Sequence, residues 1–251
     1  MTGRGPALDD AAWDSPWRRR CVRDKAVLSV GLLGCAVLLP WWPGGVLTAL
    51  IATVVLVGPA GLAPAVLGRS LLAPGAFIAV GAASLLITVS WQGGPAVGLA
   101  PSPEPALTVT VRGCAATLAV FVLAATTPAV DLISAVGRLR VPQACLDVTA
   151  VAYRMVFVLA QSVRAVRAAQ VARLGYDDRR AAMGSIAALV GAVWIRAWEH
   201  AGRLEAGLAG RGGTDSLRTL DPPAVASARF LIASVMTPIA VAAAAYLAAP
   251  R

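Results

Sequence analysis

Residues 141–175, VPQACLDVTAVAYRMVFVLAQSVRAVRAAQVARLG, and residues 179–213, RRAAMGSIAALVGAVWIRAWEHAGRLEAGLAGRGG, decide how this chain is read. Each reads as one long helix studded with arginine, over about Pro142–Arg173 and Ala181–Leu208, and each closes on an arginine beside a glycine: Ala172-Arg173-Leu174-Gly175 and Ala209-Gly210-Arg211-Gly212. In the first, Gln161, Arg164, Arg167 and Gln170 recur every three residues, while Leu159, Val163 and Val166 hold the opposite side. In the second, Met183, Ile186, Val190, Val193, Trp194, Trp198 and Leu208 form a stripe of period near 3.6. Arg196, Glu199, His200 and Arg203 fall outside that stripe, with Glu199 placed to pair with Arg203 one turn on. These are amphipathic helices, and two of them joined by a short turn are expected to pack as an antiparallel or crossing pair.

The flanking sequence is different in kind. The chain is 58% hydrophobic and only 14% charged, against about 25% charged in ordinary soluble domains. A span needs about 20 apolar residues, and five runs approach that: residues 26–39, 46–62, 71–91, 108–125 and 230–248. The first two are short and separated by Pro40-Trp41-Trp42-Pro43-Gly44-Gly45, so tilt, thinning or a re-entrant hairpin are all open for the pair. Arg112 sits near the outer end of the fourth run, where it either snorkels to the interface or faces a substrate path. Thr127 is placed to cap a short amphipathic helix beginning at Pro128. The fold class expected is an all-α integral membrane protein of about five transmembrane helices carrying a platform of helices.

Charge gives the orientation. The formal net charge is +9. Arginines gather in a collar before the first run (Arg18, Arg19, Arg20, Arg23, with Lys25) and in residues 138–229, while residues 92–107 have none. By the positive-inside bias the N-terminus and the platform are cytoplasmic. The segments expected are then 1–25, a cytoplasmic N-terminal piece; 26–127, four spans; 128–227, the cytoplasmic helices; and 228–251, the last span and C-terminus.

Several chemistries are not written here. Lys25 is the only lysine and no phosphate-binding GxxxxGK(S/T) loop occurs. His200 is the single histidine, and Cys21, Cys35, Cys114 and Cys145 are scattered, so no metal-ligand spacing arises. No nucleophile elbow and no intramembrane carboxylate pair appears, which speaks against an enzyme and against an ion-coupled carrier. Interleaving of arginine with apolar stripes disfavours nucleic acid as a partner.

Thr126-Thr127-Pro128, Arg138-Leu139-Arg140-Val141-Pro142, Tyr153-Arg154, Ala172-Arg173-Leu174-Gly175-Tyr176 and Arg211-Gly212, in this order within a five-span frame, resemble the T component of energy-coupling factor importers, in its cobalt-type CbiQ branch. The resemblance covers the chain from the basic collar to the last span. It implies a non-catalytic inner (plasma) membrane subunit, its N-terminus cytoplasmic, joining two ABC ATPases to a substrate-binding membrane subunit, metal-binding in one version of this reading. ATP and magnesium would belong to the ATPases, and this chain would bind no cofactor and no metal. Docking on the ATPases would fall to Ala172, Arg173, Gly175, Ala209, Arg211 and Gly212; Leu174 is an insertion in the first motif, and Gly210 stands where the second has alanine. Val190, Trp194 and Trp198 would pack the coupling helices and meet the substrate subunit. Cobalt, tied to cobalamin biosynthesis, or nickel is the implied cargo; a vitamin-type substrate subunit and a self-contained secondary carrier are the alternatives.

Overall fold

The computed structural model describes residues 7–90, 96–99, 102–139, 141–210 and 227–248. The chain divides into two compact units: residues 1–135 with 222–251, and residues 136–221.

The first unit is a helical bundle. A short helix α1 (Ala7–Asp14) leads into α2 (Val22–Leu38), an irregular turn broken at Trp42 within Trp41–Gly45, and α3 (Val46–Val57). Next come α4 (Pro64–Leu85), a two-stranded antiparallel ribbon of β1 (Ile87–Ser90) and β2 (Ala96–Leu99), and α5 (Glu104–Ala124). After α6 (Ala129–Val136) and the second unit, α9 (Ala228–Ala248) returns to the bundle. Pro64, Pro103 and Pro105 explain two starts, since proline at the first turn forfeits no helical hydrogen bond.

Helices in lipid gain little from hiding apolar surface, so close approach and interhelical hydrogen bonds hold them together. The centre of the bundle is built that way, from Leu28 and Leu32 of α2, Ala52 and Leu56 of α3, Ala115, Ala119 and Val122 of α5, and Val241 and Ala245 of α9. Ser29 Oγ donates to the Ala119 carbonyl at 2.7 Å, tying α2 to α5. A Cβ on Gly31 would lie 2.7 Å from Pro238 Cγ, so α2 and α9 touch where only glycine fits. Cys35 Sγ donates to the Pro238 carbonyl at 3.3 Å beside that contact. α4 packs along α5, with Ile78 over Gly113, and leaves Leu72, Phe77 and Val80 exposed as a lipid-facing side.

Three sequence expectations are corrected. The third apolar helix runs Pro64–Leu85 rather than 71–91, so Arg69 lies inside it and not at a turn. Beyond Leu85 the β-branched Ile87, Thr88 and Val89 favour extended backbone and pair with Ala96–Leu99, Ile87 opposite Leu99. The run thus ends before Trp91, which lies outside the described residues. Arg112 has a partner that the sequence did not indicate: its Nη2 donates to the Leu39 carbonyl at 3.1 Å, at the end of α2, where free carbonyls attract a cation. Thr127 does not cap α6, because its hydroxyl is buried without a partner and Pro128 supplies the backbone acceptor for Asp131 and Leu132. Lys25 leaves the exposed collar and is fully buried.

The second unit contains a 3-10 turn (Gly137–Leu139), α7 (Gln143–Ala172) and α8 (Arg179–Ala209). Both long helices lie within about a residue or two of the expected limits, and neither has a buried residue. The hydrogen bonds that join them lie at the turn between Ala172 and Arg179. Glu199 and Arg203 form the expected pair at 3.6 Å on the exposed side of α8, a contact of at most a few tenths of a kcal/mol.

The protein is therefore an all-α integral membrane protein to which a small ribbon is added. Among the described residues five helices are long and apolar enough to cross a membrane: α4, α5, α7, α8 and α9. Length and composition alone thus select the two arginine-studded helices and pass over α2 and α3, at 17 and 12 residues. Charge position sets α7 apart from the apolar helices but not α8, whose residues 181–195 carry no charge. In α7 the residues between Asp147, Arg154, Arg164 and Arg167 never amount to three helical turns without a charge, and an arginine at mid-bilayer costs about 2.5–3.5 kcal/mol even on insertion scales. In α2 the polar residues below Ala26 stand at one end, and with the Trp41–Gly45 turn α3 becomes a 17-residue apolar stretch about 26 Å long, Trp41–Val57.

Because close approach dominates, Gly31→Val is expected to destabilise the bundle by about 1–3 kcal/mol, and Ser29→Ala by about 0.6 kcal/mol. Denaturation of the purified chain in mixed micelles measures both; a larger loss for Ser29→Ala would make hydrogen bonding the principal bond between these helices.

Candidate functional site

The end of α7 is shaped by three backbone hydrogen bonds. Arg173 N–H donates to the Gln170 carbonyl at 3.1 Å, Leu174 N–H to Val171 at 3.0 Å, and Gly175 N–H back to Gln170 at 2.9 Å. The last two are the paired bonds of a helix end whose first residue past the cap is left-handed. That residue is Leu174, with φ of 56°, not the glycine that follows. A leucine in this region carries about 1–2 kcal/mol of strain, and such strain persists where surrounding contacts impose it. Gly175 serves close approach: a Cβ there would lie 2.6 Å from Ser185 Oγ and 3.0 Å from the Gln170 carbonyl.

A side-chain network fixes the turn. Tyr176 OH donates to Gln170 Oε1 at 2.8 Å, Gln170 Nε2 donates to the Ser185 carbonyl at 2.8 Å, and Ser185 Oγ donates to the Gly175 carbonyl at 2.7 Å. Arg167 lies over the Tyr176 ring, 5.8 Å from its centroid, at the outer limit of a cation–π contact. Asp178 Oδ1 accepts from Arg179 N–H at 2.6 Å and starts α8. Sequence reading took Gln170 for one of a polar row and gave Tyr176 and Ser185 no part. The signal was the pair Gln170 and Tyr176 bracketing the arginine, six residues apart and so able to meet only across a turn.

At the tip, Ala172, Arg173 and Leu174 are exposed, Leu174 at 72%. Among the described residues the Arg173 guanidinium has no side-chain partner. A planar fork with five donors is therefore held out on a rigid helix end, the geometry that binds carboxylates and carbonyl groups in pairs. The second motif is described only in part. Ala209 is the exposed last residue of α8, and Gly210 continues the helical backbone, with its N–H on the Ala206 carbonyl at 3.0 Å. Arg211 and Gly212 lie outside the described residues.

Val190, Trp194 and Trp198 are 63%, 69% and 75% exposed. Among the described residues little covers them, and they join Met183, Ile186 and Ile195 in a bare apolar stripe on α8. Among the described residues no group of three or more His, Cys, Asp or Glu side chains could hold a metal ion.

The tip geometry separates display from support. Arg173→Ala is expected to leave thermal stability within about 0.5 kcal/mol of the parent, as for exposed positions generally. Gly175→Val, by contrast, drives a side chain into Ser185 and should lower it by at least about 1 kcal/mol. Amide exchange over residues 167–186 in the detergent-purified chain reports both.

Residues 14–220 match the family model described as CbiQ, cobalt transport protein. The cobalt transport protein CbiQ of Rhodobacter capsulatus is 37% identical over 228 residues, covering 88% of this chain and 90% of that protein. A putative fused cobalt transport protein CbiMQ of Methanocorpusculum labreanum is 30% identical over 206 residues, or 76% of this chain and 34% of that longer protein. With the match spanning both the helical bundle and the arginine-tipped helices, this chain belongs to the CbiQ family of cobalt transport proteins.

Proposed function

We propose that this chain is the membrane coupling subunit of an ATP-driven importer, in which it joins two cytoplasmic ABC ATPases to a substrate-binding membrane subunit. Cobalt is the cargo this reading assigns, on the strength of the family and of its curated relatives. The chain performs no chemistry of its own; ATP and magnesium are the partners' business. The observation that carries the reading is Arg173, presented without a partner on a helix end that a strained leucine and the Gln170–Tyr176–Ser185 network hold rigid.

The spacing of the motifs supports two docking points. α8 starts next to the Arg173 turn and runs unbroken for 31 residues to Ala209, a helix about 46 Å long. A guanidinium at each end of that rod is too far apart for one groove, and fits one ATPase at each end. In this reading Arg173 and Arg211 enter the grooves, with Ala172, Gly175, Ala209 and Gly212 allowing close contact. The bare stripe of Val190, Trp194 and Trp198 faces the substrate subunit. Residues 26–127 and 228–251 form the frame in the plasma membrane, with residues 1–25 and 128–227 on the cytoplasmic side. The helix pair, fixed to one another at the Gly175 turn, would pass rigid-body motion from the ATPases to the frame.

Two experiments test this. Arg173→Glu with Arg211→Glu should lower ATPase co-purification by at least about tenfold, since removing one partner of a desolvated charge pair costs about 2–5 kcal/mol; ATPases that stay bound, with transport intact, would end the motif assignment. For the topology, single cysteines at Gln161 and Trp198 are introduced after the four native cysteines are replaced by serine. An impermeant maleimide should label both in inverted vesicles and neither in intact cells, and labelling from outside would place α7 or α8 across the bilayer.

A further inference from the structure

Lys25 is the chain's only lysine. Its neighbours Arg19 and Arg23 are exposed, whereas Lys25 turns inward and is fully buried. Its Nζ donates to the Thr126 carbonyl at 3.0 Å. Thr126 lies just past α5, where carbonyls have no helical donor and the helix dipole is negative. The Thr126 hydroxyl bonds back to Val122 at 2.6 Å and keeps the chain turning. The next hydroxyl, on Thr127, is buried and has no partner. Asp131, in the first turn of α6, is within electrostatic reach of the ammonium and is itself engaged in a contact. The buried cation thus holds the Thr126 carbonyl, with the Asp131 charge in reach, within the six residues where α5 stops and α6 begins.

The segment that carries Lys25 is strapped down. Ser15 Oγ donates to the Ala60 carbonyl at 2.9 Å, and Pro16 packs on Gly61, whose φ of 71° allows the turn after α3. The Trp17 ring meets Phe230 edge-on at 4.8 Å, and Arg20 lies 4.9 Å over the same ring. Residues 15–25 therefore touch the α3–α4 turn, the start of α9 and the α5–α6 break, all at one end of the bundle. A buried ammonium is costly unless paired, and an apolar side chain of the same length would fill the space at lower cost. What the cation adds over methionine is a directional bond to the Thr126 carbonyl, which fixes the geometry of the break.

We infer that Lys25 is a positioning residue: its ammonium, braced by the N-terminal strap, fixes the Thr126–Asp131 break through which the chain leaves the bundle for α7 and α8, and so converts displacement of those helices into displacement of the spans. The second half of this inference rests on the coupling reading above. Without Lys25 the break is loose, and movement of the platform is absorbed there.

The chain alone tests the first half. In lipid nanodiscs, amides of residues 127–136 should exchange about tenfold faster or more in Lys25→Met, while those of α3 and α4 stay as in the parent; unchanged exchange overturns the inference. The co-purified transporter tests the second. Uptake of radiolabelled cobalt(II) per ATP hydrolysed should fall by at least about fivefold in Lys25→Met, with the ATPases still bound and hydrolysis within about twofold. Asp131→Asn, which leaves the Thr126 bond in place, should lower the same ratio by a smaller factor. Uptake and hydrolysis that fall in proportion, or a ratio unchanged in both variants, make Lys25 merely structural and overturn it. If the parent chain holds no ATPase, it is the coupling reading that fails, and the exchange measurement still judges the brace.

Discussion

Everything in the bundle depends on how near α2 can come to α5 and α9. Lipid offers apolar side chains the same surroundings as a neighbouring helix does, so burial alone does not decide which helices touch. Contact distance does. Gly31 lets Pro238 press against the α2 backbone, and Ala36, Ala115, Ala119 and Ala245 keep the surrounding surfaces low. At that range Ser29 reaches a carbonyl of α5 and Cys35 one of α9. Bulk at these crossings would separate the helices and dissolve the hydrogen bonds with them. This also explains how α2 and α3, each short for a bilayer, hold their place: they are central members of a packed set, not free-standing spans.

The two units follow opposite rules. In the bundle the fully hidden side chains other than Lys25 are small or aliphatic, and its buried polar groups mostly find a carbonyl. Among the described residues of the second unit none is buried, and precision is confined to the turn at Gly175. A rigid tip on otherwise unpacked helices suits a part that acts on other proteins, because its shape is set locally and its faces stay available.

The sequence was legible wherever period or charge carried the message. The long runs of α7, α8 and α9 follow from apolar spacing bounded by Gly, Pro and Asp, and their limits moved by only a residue or two. Local chemistry that depends on a distant partner was not legible. Lys25 sits among arginines and looks like one more collar charge, until the Thr126 carbonyl, 101 positions away, is brought to it. Arg112 has the profile of a snorkelling residue, and only folding shows that the end of α2 lies within its reach. The end of α4 was misjudged because Ile87, Thr88 and Val89 are as apolar as a helix requires but are β-branched. At the tip, nothing in the sequence marks Leu174 as the residue that takes the left-handed position.

The stripe of Trp194, Trp198 and their neighbours has a cost outside any assembled complex. If α8 stands in water, as the proposed coupling role requires, two indoles and several aliphatic side chains open to solvent make the unassembled chain a good client for chaperones and a good target for surveillance proteases. Its lifetime in the cell would then depend on how soon other polypeptides cover that surface. Stoichiometry would be enforced by the fold itself, with no separate control on synthesis.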